Sequence, residues 1–154
     1  MYPQLKLDNQ LCFRLYTASR LVAGAYAPYF EPLGITYPQY LVLLVLWEKD
    51  HQPVNDIAKR LYLETNTVTP LLQRMEKIGL IERKKGEADS RQRIVSLTQK
   101  AIDMEQVAKD IPNKLSETVT NYVDVDELKA LIPTIDKLIE GLAIRINGKS
   151  LIKN

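Results

Sequence analysis

Val54-Asn-Asp-Ile-Ala-Lys-Arg-Leu61, then Thr65-Asn-Thr-Val-Thr-Pro-Leu-Leu-Gln-Arg-Met-Glu-Lys-Ile78, then Leu80-Ile-Glu-Arg-Lys-Lys85 and Arg91-Gln-Arg-Ile-Val-Ser-Leu97: this stretch decides the fold. In the first segment Ile57, Ala58 and Leu61 supply one apolar face. In the second, Val68, Leu71, Leu72, Met75 and Ile78 recur with the period of a buried helical stripe. Leu63-Glu-Thr65 is the turn between them, Thr65 is a natural N-cap, and Gly79 ends the second helix. Two short strand segments then flank a polar turn from Gly86 to Ser90. Two helices, a turn and a basic hairpin predict a mainly α fold with a small β-wing. The plan is a winged helix-turn-helix lobe, spanning residues 51–98, and DNA is the expected partner.

The second helix carries short polar groups opposite its apolar stripe. Asn66, Thr67, Thr69 and Gln73, together with Thr65 and Pro70 in the first turns, are placed to approach base edges and phosphates closely. Arg74 and Lys77 are placed to reach backbone phosphates. Pro70 costs one backbone hydrogen bond, a small penalty so near the helix start. The hairpin clusters Arg83, Lys84, Lys85, Arg91 and Arg93 around a turn carrying Glu87 and Asp89. An acidic residue at a DNA-facing tip needs a reason. Pairing of Asp89 with Arg91 supplies one, because it holds the guanidinium extended for the minor groove. A solvated turn of mixed charge is the bland alternative.

The chain has 154 residues and a net charge of +2. Residues 51–100 hold ten Lys or Arg against six Asp or Glu, a local charge of +4, while the remainder is −2. That distribution suits phosphate contact. No apolar run approaches the roughly 18 residues of a membrane span, and no secretion signal is evident, so a cytoplasmic protein is expected. One cysteine, Cys12, allows no intrachain disulfide and no cysteine-rich metal site. With a single histidine, His51, no metal or other cofactor is expected.

Outside the lobe, a helix is expected from near Asp8, with Leu11, Leu15, Ala18 and Val22 on its apolar side, ending around Pro28 and Pro32. Thr36-Tyr-Pro-Gln39 reads as the cap of a central helix that is hydrophobic nearly all round. Lys49 to Pro53 reads as a turn. Thr98 is placed to cap a further helix, and Asp124-Val-Asp-Glu127 opens a last one. There Leu128, Leu131, Ile132, Ile135, Leu138, Ile139 and Leu142 form a broad apolar stripe, which Pro133 should bend. The terminal helices, 8–32 and 112–146, each need a partner surface. Packing against a second copy satisfies both and predicts a homodimer on a pseudo-palindromic operator.

Asn9-Gln-Leu-Cys-Phe13, Ile35-Thr-Tyr-Pro-Gln-Tyr40, Leu46-Trp47, Thr67-Val-Thr-Pro-Leu71, Asp89-Ser-Arg91 and Ser96-Leu-Thr98 resemble the MarR family over roughly residues 5–145. The first two motifs resemble its organic hydroperoxide resistance branch, in which one cysteine senses peroxide. The resemblance implies that Cys12 is the sensor and that Tyr26 and Tyr37 are its hydrogen-bond partners. Tyr16, one turn beyond Cys12, is a further lining candidate. It also implies a repressor released from DNA when organic hydroperoxide oxidises Cys12, the oxidised sulfur then forming a mixed disulfide with a low-molecular-weight thiol or a cyclic sulfenamide, with overoxidation under stronger oxidant. Where family members usually carry Leu-Thr, two residues and Gly, Leu97-Thr-Gln-Lys-Ala101 has alanine.

One geometric constraint follows. If one helix holds both Cys12 and Tyr26, 14 residues at about 1.5 Å each separate them by roughly 21 Å. Any contact between them then comes from the second subunit. The start of a helix favours an anionic sulfur, although a lone cysteine is often an inert core thiol. Three alternatives stay open: a repressor released by a small phenolic or aromatic ligand, a thiol peroxidase, and a winged helix used for protein contacts. The peroxidase lacks a resolving thiol, so an enzyme is not expected.

Overall fold

The computed structural model describes residues 2–87 and 89–147. It divides into two compact units, one ending at Tyr37 and one beginning at Pro38.

The first unit opens with two 3-10 turns, Pro3–Leu5 and Leu7–Asn9, before helix α1, Leu11–Ala25. The helix therefore starts three residues later than its sequence suggests. The reason is local: Asn9 Nδ2 donates to the Pro3 carbonyl at 2.7 Å and Gln10 Nε2 to the Gln4 carbonyl at 2.6 Å. Such side-chain bonds offer the backbone an alternative to the helix. Helix α2, Ala27–Phe30, follows with Pro28 in its first turn, and Gly34, at φ 66°, closes the turn after it. No residue of α1 is buried.

The second unit holds the predicted lobe. Helix α3, Tyr37–Glu48, begins next to Thr36, as its cap sequence predicts, and buries Tyr40, Val42, Leu43, Val45 and Leu46. Strand β1 is Gln52–Pro53, helix α4 Val54–Arg60 and helix α5 Thr65–Lys77. Strands β2, Ile81–Lys85, and β3, Arg93–Leu97, form the hairpin. The sheet is antiparallel in the order β1-β3-β2. β1 lies within the segment read as a turn. Two residues carry no periodicity; the strand exists because Gln52 and Pro53 pair with Val95 and Ile94. Asp50 adds to this edge by accepting from the Leu97 N–H at 2.9 Å.

The core of the lobe is where the stripes meet. Ile57, Val68, Leu72, Met75, Leu80, Ile81 and Val95 are all at most 1% exposed. Ile78, expected in the stripe, is 38% exposed. The helix has ended at Lys77, and Ile78 has left helical geometry as the residue at its C-cap. α4 and α5 finish alike. Leu63 N–H bonds the Ala58 carbonyl and Tyr62 N–H that of Lys59; Leu80 and Gly79 repeat the pattern on Met75 and Glu76. This is the left-handed Schellman ending, filled by Gly79 at φ 74° in one case and by Tyr62 at φ 55° in the other.

Helix α6, Gln99–Ala108, is capped by Thr98, whose hydroxyl accepts from the Ala101 N–H. Ala101 is fully buried, and its carbonyl accepts from Trp47 Nε1 at 3.0 Å, tying α6 to α3. Helix α7 is Ile111–Val119. Helix α8, Val125–Asn147, is capped by Asp124, which accepts from the Asp126 N–H at 2.8 Å, and it runs through Pro133 as one helix. No helix among the described residues is long and apolar enough to cross a membrane.

Candidate nucleic-acid interface and thiol site

An open groove runs between α5 and the hairpin. It is lined by Asn55, Thr65, Thr69, Arg83, Asp89, Arg91, Gln92 and Arg93, with Pro53 and Val54. Thr65 does not cap α5; Glu64 holds that position, and its carbonyl accepts from Thr67 and Val68. The Thr65 hydroxyl instead lies 3.1 Å from Asn55 Oδ1 as its donor, bonding α5 to α4. Thr69 donates to the Thr65 carbonyl at 2.8 Å. Asn66, Thr67, Pro70, Gln73, Arg74 and Lys77 are exposed on α5.

The hairpin sorts its cations by the two-residue period of a strand. Arg83 and Lys85 lie on one face of β2, and Lys84 lies on the other with Glu82. Lys84 Nζ sits 2.8 Å from Glu82 Oε2. Lys84 lines the opposite side of the hairpin with His51, Glu87 and Ser96, and Lys85, next to the turn, also borders that side although strand alternation starts it on the Arg83 face. The structure thus gathers Thr65, Thr69, Asp89, Arg91 and Arg93 in one groove and places Lys84 and Lys85 outside its lining. Lys85 stands directly across the ladder from Arg93. Like charges so placed repel.

At the tip, Asp89 accepts from the Arg91 backbone N–H at 3.0 Å and from Arg91 Nε at 3.2 Å. These two bonds hold the Asp89 carboxyl below the usual carboxylate range. Arg91 Nη2 also donates to Asp89 Oδ2 at 3.5 Å, yet the Arg91 side chain is 91% exposed, so the carboxylate steadies one edge of the guanidinium and the other edge is open to solvent. Gly86 is required here, since a Cβ on it would lie 2.8 Å from the Asp89 carbonyl.

Asn55, Gln92 and the closure of the groove by Arg83 were not apparent in the sequence. Asn55 had a signal: an exposed polar residue on the first helix of such a motif, the one that crosses the DNA backbone. Arg83 was visible only as one cation of the hairpin cluster; its bond to Glu76 had no signal, because that partner is seven residues away across a turn.

Cys12 is the second residue of α1 and is exposed. Tyr16, one turn on, is 67% exposed. Tyr26 is the residue that closes α1 at its other end. Its ring lies 5.1 Å from that of Tyr37 and 5.1 Å from that of Phe30. Burial first, and then the Tyr37 phenol, push the Tyr26 hydroxyl up from its ordinary value, so it stays protonated and able to donate. The two tyrosines are together, and a helix length of about 21 Å keeps Tyr26 from Cys12 of the same chain.

Comparison with known proteins gives one consistent answer. A profile of the MarR family matches residues 35–92. The organic hydroperoxide resistance transcriptional regulator of Bacillus subtilis is 42% identical over 135 residues, covering 87% of this chain and 92% of that one. Among solved structures, reduced AbfR bound to DNA superposes with a TM-score of 0.77 at 36% identity, over 90% of this chain and 96% of that one. Overoxidised AbfR bound to DNA gives 0.69 at 37% identity, over the same shares.

Proposed function

The chain belongs to the MarR family of transcriptional regulators, and on that premise we propose that it is a redox-sensing repressor that binds a pseudo-palindromic operator as a homodimer. Organic hydroperoxide releases it by oxidising Cys12. The observation that carries this reading is the placement of the single cysteine: exposed, in the first turn of α1, with a paired Tyr26 and Tyr37 at the far end.

In the proposed step the Cys12 thiolate attacks a peroxide oxygen. The O–O bond breaks, an S–O bond forms, and the alkoxide leaves as the alcohol after taking a proton. Sulfur loses two electrons and the peroxide gains them. The sulfenic acid then condenses with a small thiol, releasing water and leaving a mixed disulfide. Tyr26 and Tyr37 of the second subunit donate hydrogen bonds to the sulfur.

The DNA contacts belong to the groove and the outer face of α5. Asn66, Thr67 and Gln73 read base edges in the major groove, Arg74 and Lys77 meet phosphate, and Arg91 enters the minor groove with Arg93 beside it. Thr65, Thr69, Pro70, Lys85 and Asp89 shape that surface, and Lys84 reaches phosphate from the far side of the hairpin. Dimerisation is supported by α8, where Leu131, Ile132, Ile135, Leu138, Ile139 and Leu142 are 37–55% exposed in the single chain.

Cys12→Ser tests the reading on a duplex carrying the sequence upstream of this protein's own coding region. The variant should bind as tightly as the reduced wild type and stay bound when hydroperoxide is added. Release of the variant by hydroperoxide would overturn the sensor assignment. Release of both proteins by a phenolic ligand, with no response to peroxide, would make the protein a ligand-responsive repressor.

A further inference from the structure

Of the five cations on the hairpin, Arg83 is the one the structure ties to another element. Its Nε and Nη2 donate to Glu76 Oε2 at 3.0 and 2.6 Å, and its backbone N–H donates to Glu76 Oε1 at 3.2 Å. Both oxygens of the carboxylate are used. Glu76 is on the last turn of α5 and Arg83 is in the middle of β2, opposite the fully buried Val95. The turn Ile78–Leu80 is the chain connection between the two elements. The Arg83 side chain is 20% exposed, and it lines the groove while its fork is turned to Glu76.

Three bonds to one carboxylate fix the strand's backbone and its side chain at once against the helix. A guanidinium has the rigid, planar fork for this and an ammonium does not. The hairpin tip, with Arg91, is carried on β2 and β3. Whatever sets the angle of β2 to α5 therefore sets the reach from the major groove to the adjacent minor groove.

We propose that Glu76 and Arg83 are positioning residues for DNA binding, locking the wing to the recognition helix so that α5 and Arg91 engage one duplex together. The proposal rests on the DNA-binding reading above. It assigns Arg83 no contact with DNA, although its charge and position invite one.

The test uses the full-length reduced protein, the duplex from its own upstream region and anisotropy titrations over a range of salt. E76Q and R83K should each weaken binding about tenfold, the coupling expected of neighbouring charged groups. The slope against log salt should not change, because no phosphate contact is lost. The exchanged double variant E76R/R83E should recover part of the affinity, since it restores the side-chain pair without the bond to the strand N–H. In an R91A background E76Q should add little further loss, since the lock acts through the wing. Tighter binding by E76Q would overturn the proposal, because that is what freeing Arg83 for phosphate would produce. An undiminished loss in the R91A background, with no rescue by the exchange, would overturn it in favour of a purely structural pair. Absence of wild-type binding to any duplex would instead overturn the DNA-binding reading, and the proposal with it.

Discussion

Tyr62 sits where a glycine is expected. The endings of α4 and α5 are the same motif, yet one uses Gly79 and the other a tyrosine held at φ 55°. A left-handed conformation costs an ordinary residue about 1–2 kcal/mol, while glycine loses about 0.5–1 kcal/mol more chain entropy on folding. The first effect wins, so Tyr62→Gly should stabilise the protein by about 0.5–1 kcal/mol, read as a higher urea midpoint. A lower midpoint would show that the Tyr62 ring, 43% exposed, packs more tightly than its exposure implies. Residue-level features were legible where both partners are close in sequence. Asp89 with Arg91, Thr98 with Ala101 and Asp124 with Asp126 all lie within three residues. Thr65 was misread as a cap because its partner, Asn55, lies on another helix.

Elements followed their periodicity. The stripe Val68, Leu71, Leu72 and Met75 is buried as read, because a helical period in the sequence is a face in space. What failed lay at element ends. Ile78 left the stripe with the Schellman turn, and α1 began late because Asn9 and Gln10 spend their amides on the preceding carbonyls. β1 was invisible because pairing alone makes it. The joint between α5 and β2 has a pH signature. The Arg83 guanidinium, bonded to Glu76, holds that carboxyl below its ordinary value. A depressed folded pKa contributes stability that is full above the unfolded value and is lost as pH falls through the folded one. The melting temperature of wild type should therefore exceed that of E76Q at neutral pH. The gap should close in acid, below the ordinary carboxylate range. A gap that persists there would mean that the ion pair does not join these elements.

For the whole molecule, the helix-turn-helix and its wing were legible because local pattern and fold agree, whereas the division at Tyr37 and Pro38 left no mark in the sequence. The proposed repressor works as two copies, since one recognition helix reads only half of a two-fold operator. Leu138, 37% exposed in the single chain, is the place to test this. Leu138→Glu should leave the helical content of the chain intact, yield monomers in sedimentation equilibrium and abolish tight operator binding. A dimer that survives the substitution would remove α8 from the interface.

In the proposed switch the oxidation state of one sulfur sets occupancy of the operator. AbfR has been seen on DNA both reduced and overoxidised, so binding and sulfur chemistry have to be read on the same sample. The direct measurement is operator affinity by anisotropy, with intact mass recorded in parallel. One equivalent of an organic hydroperoxide per Cys12 is added in the presence of a small thiol, and dithiothreitol follows. Affinity should fall roughly tenfold or more as the mass of the mixed disulfide appears, and should return on reduction. Unchanged affinity with Cys12 fully converted would contradict the proposed switch.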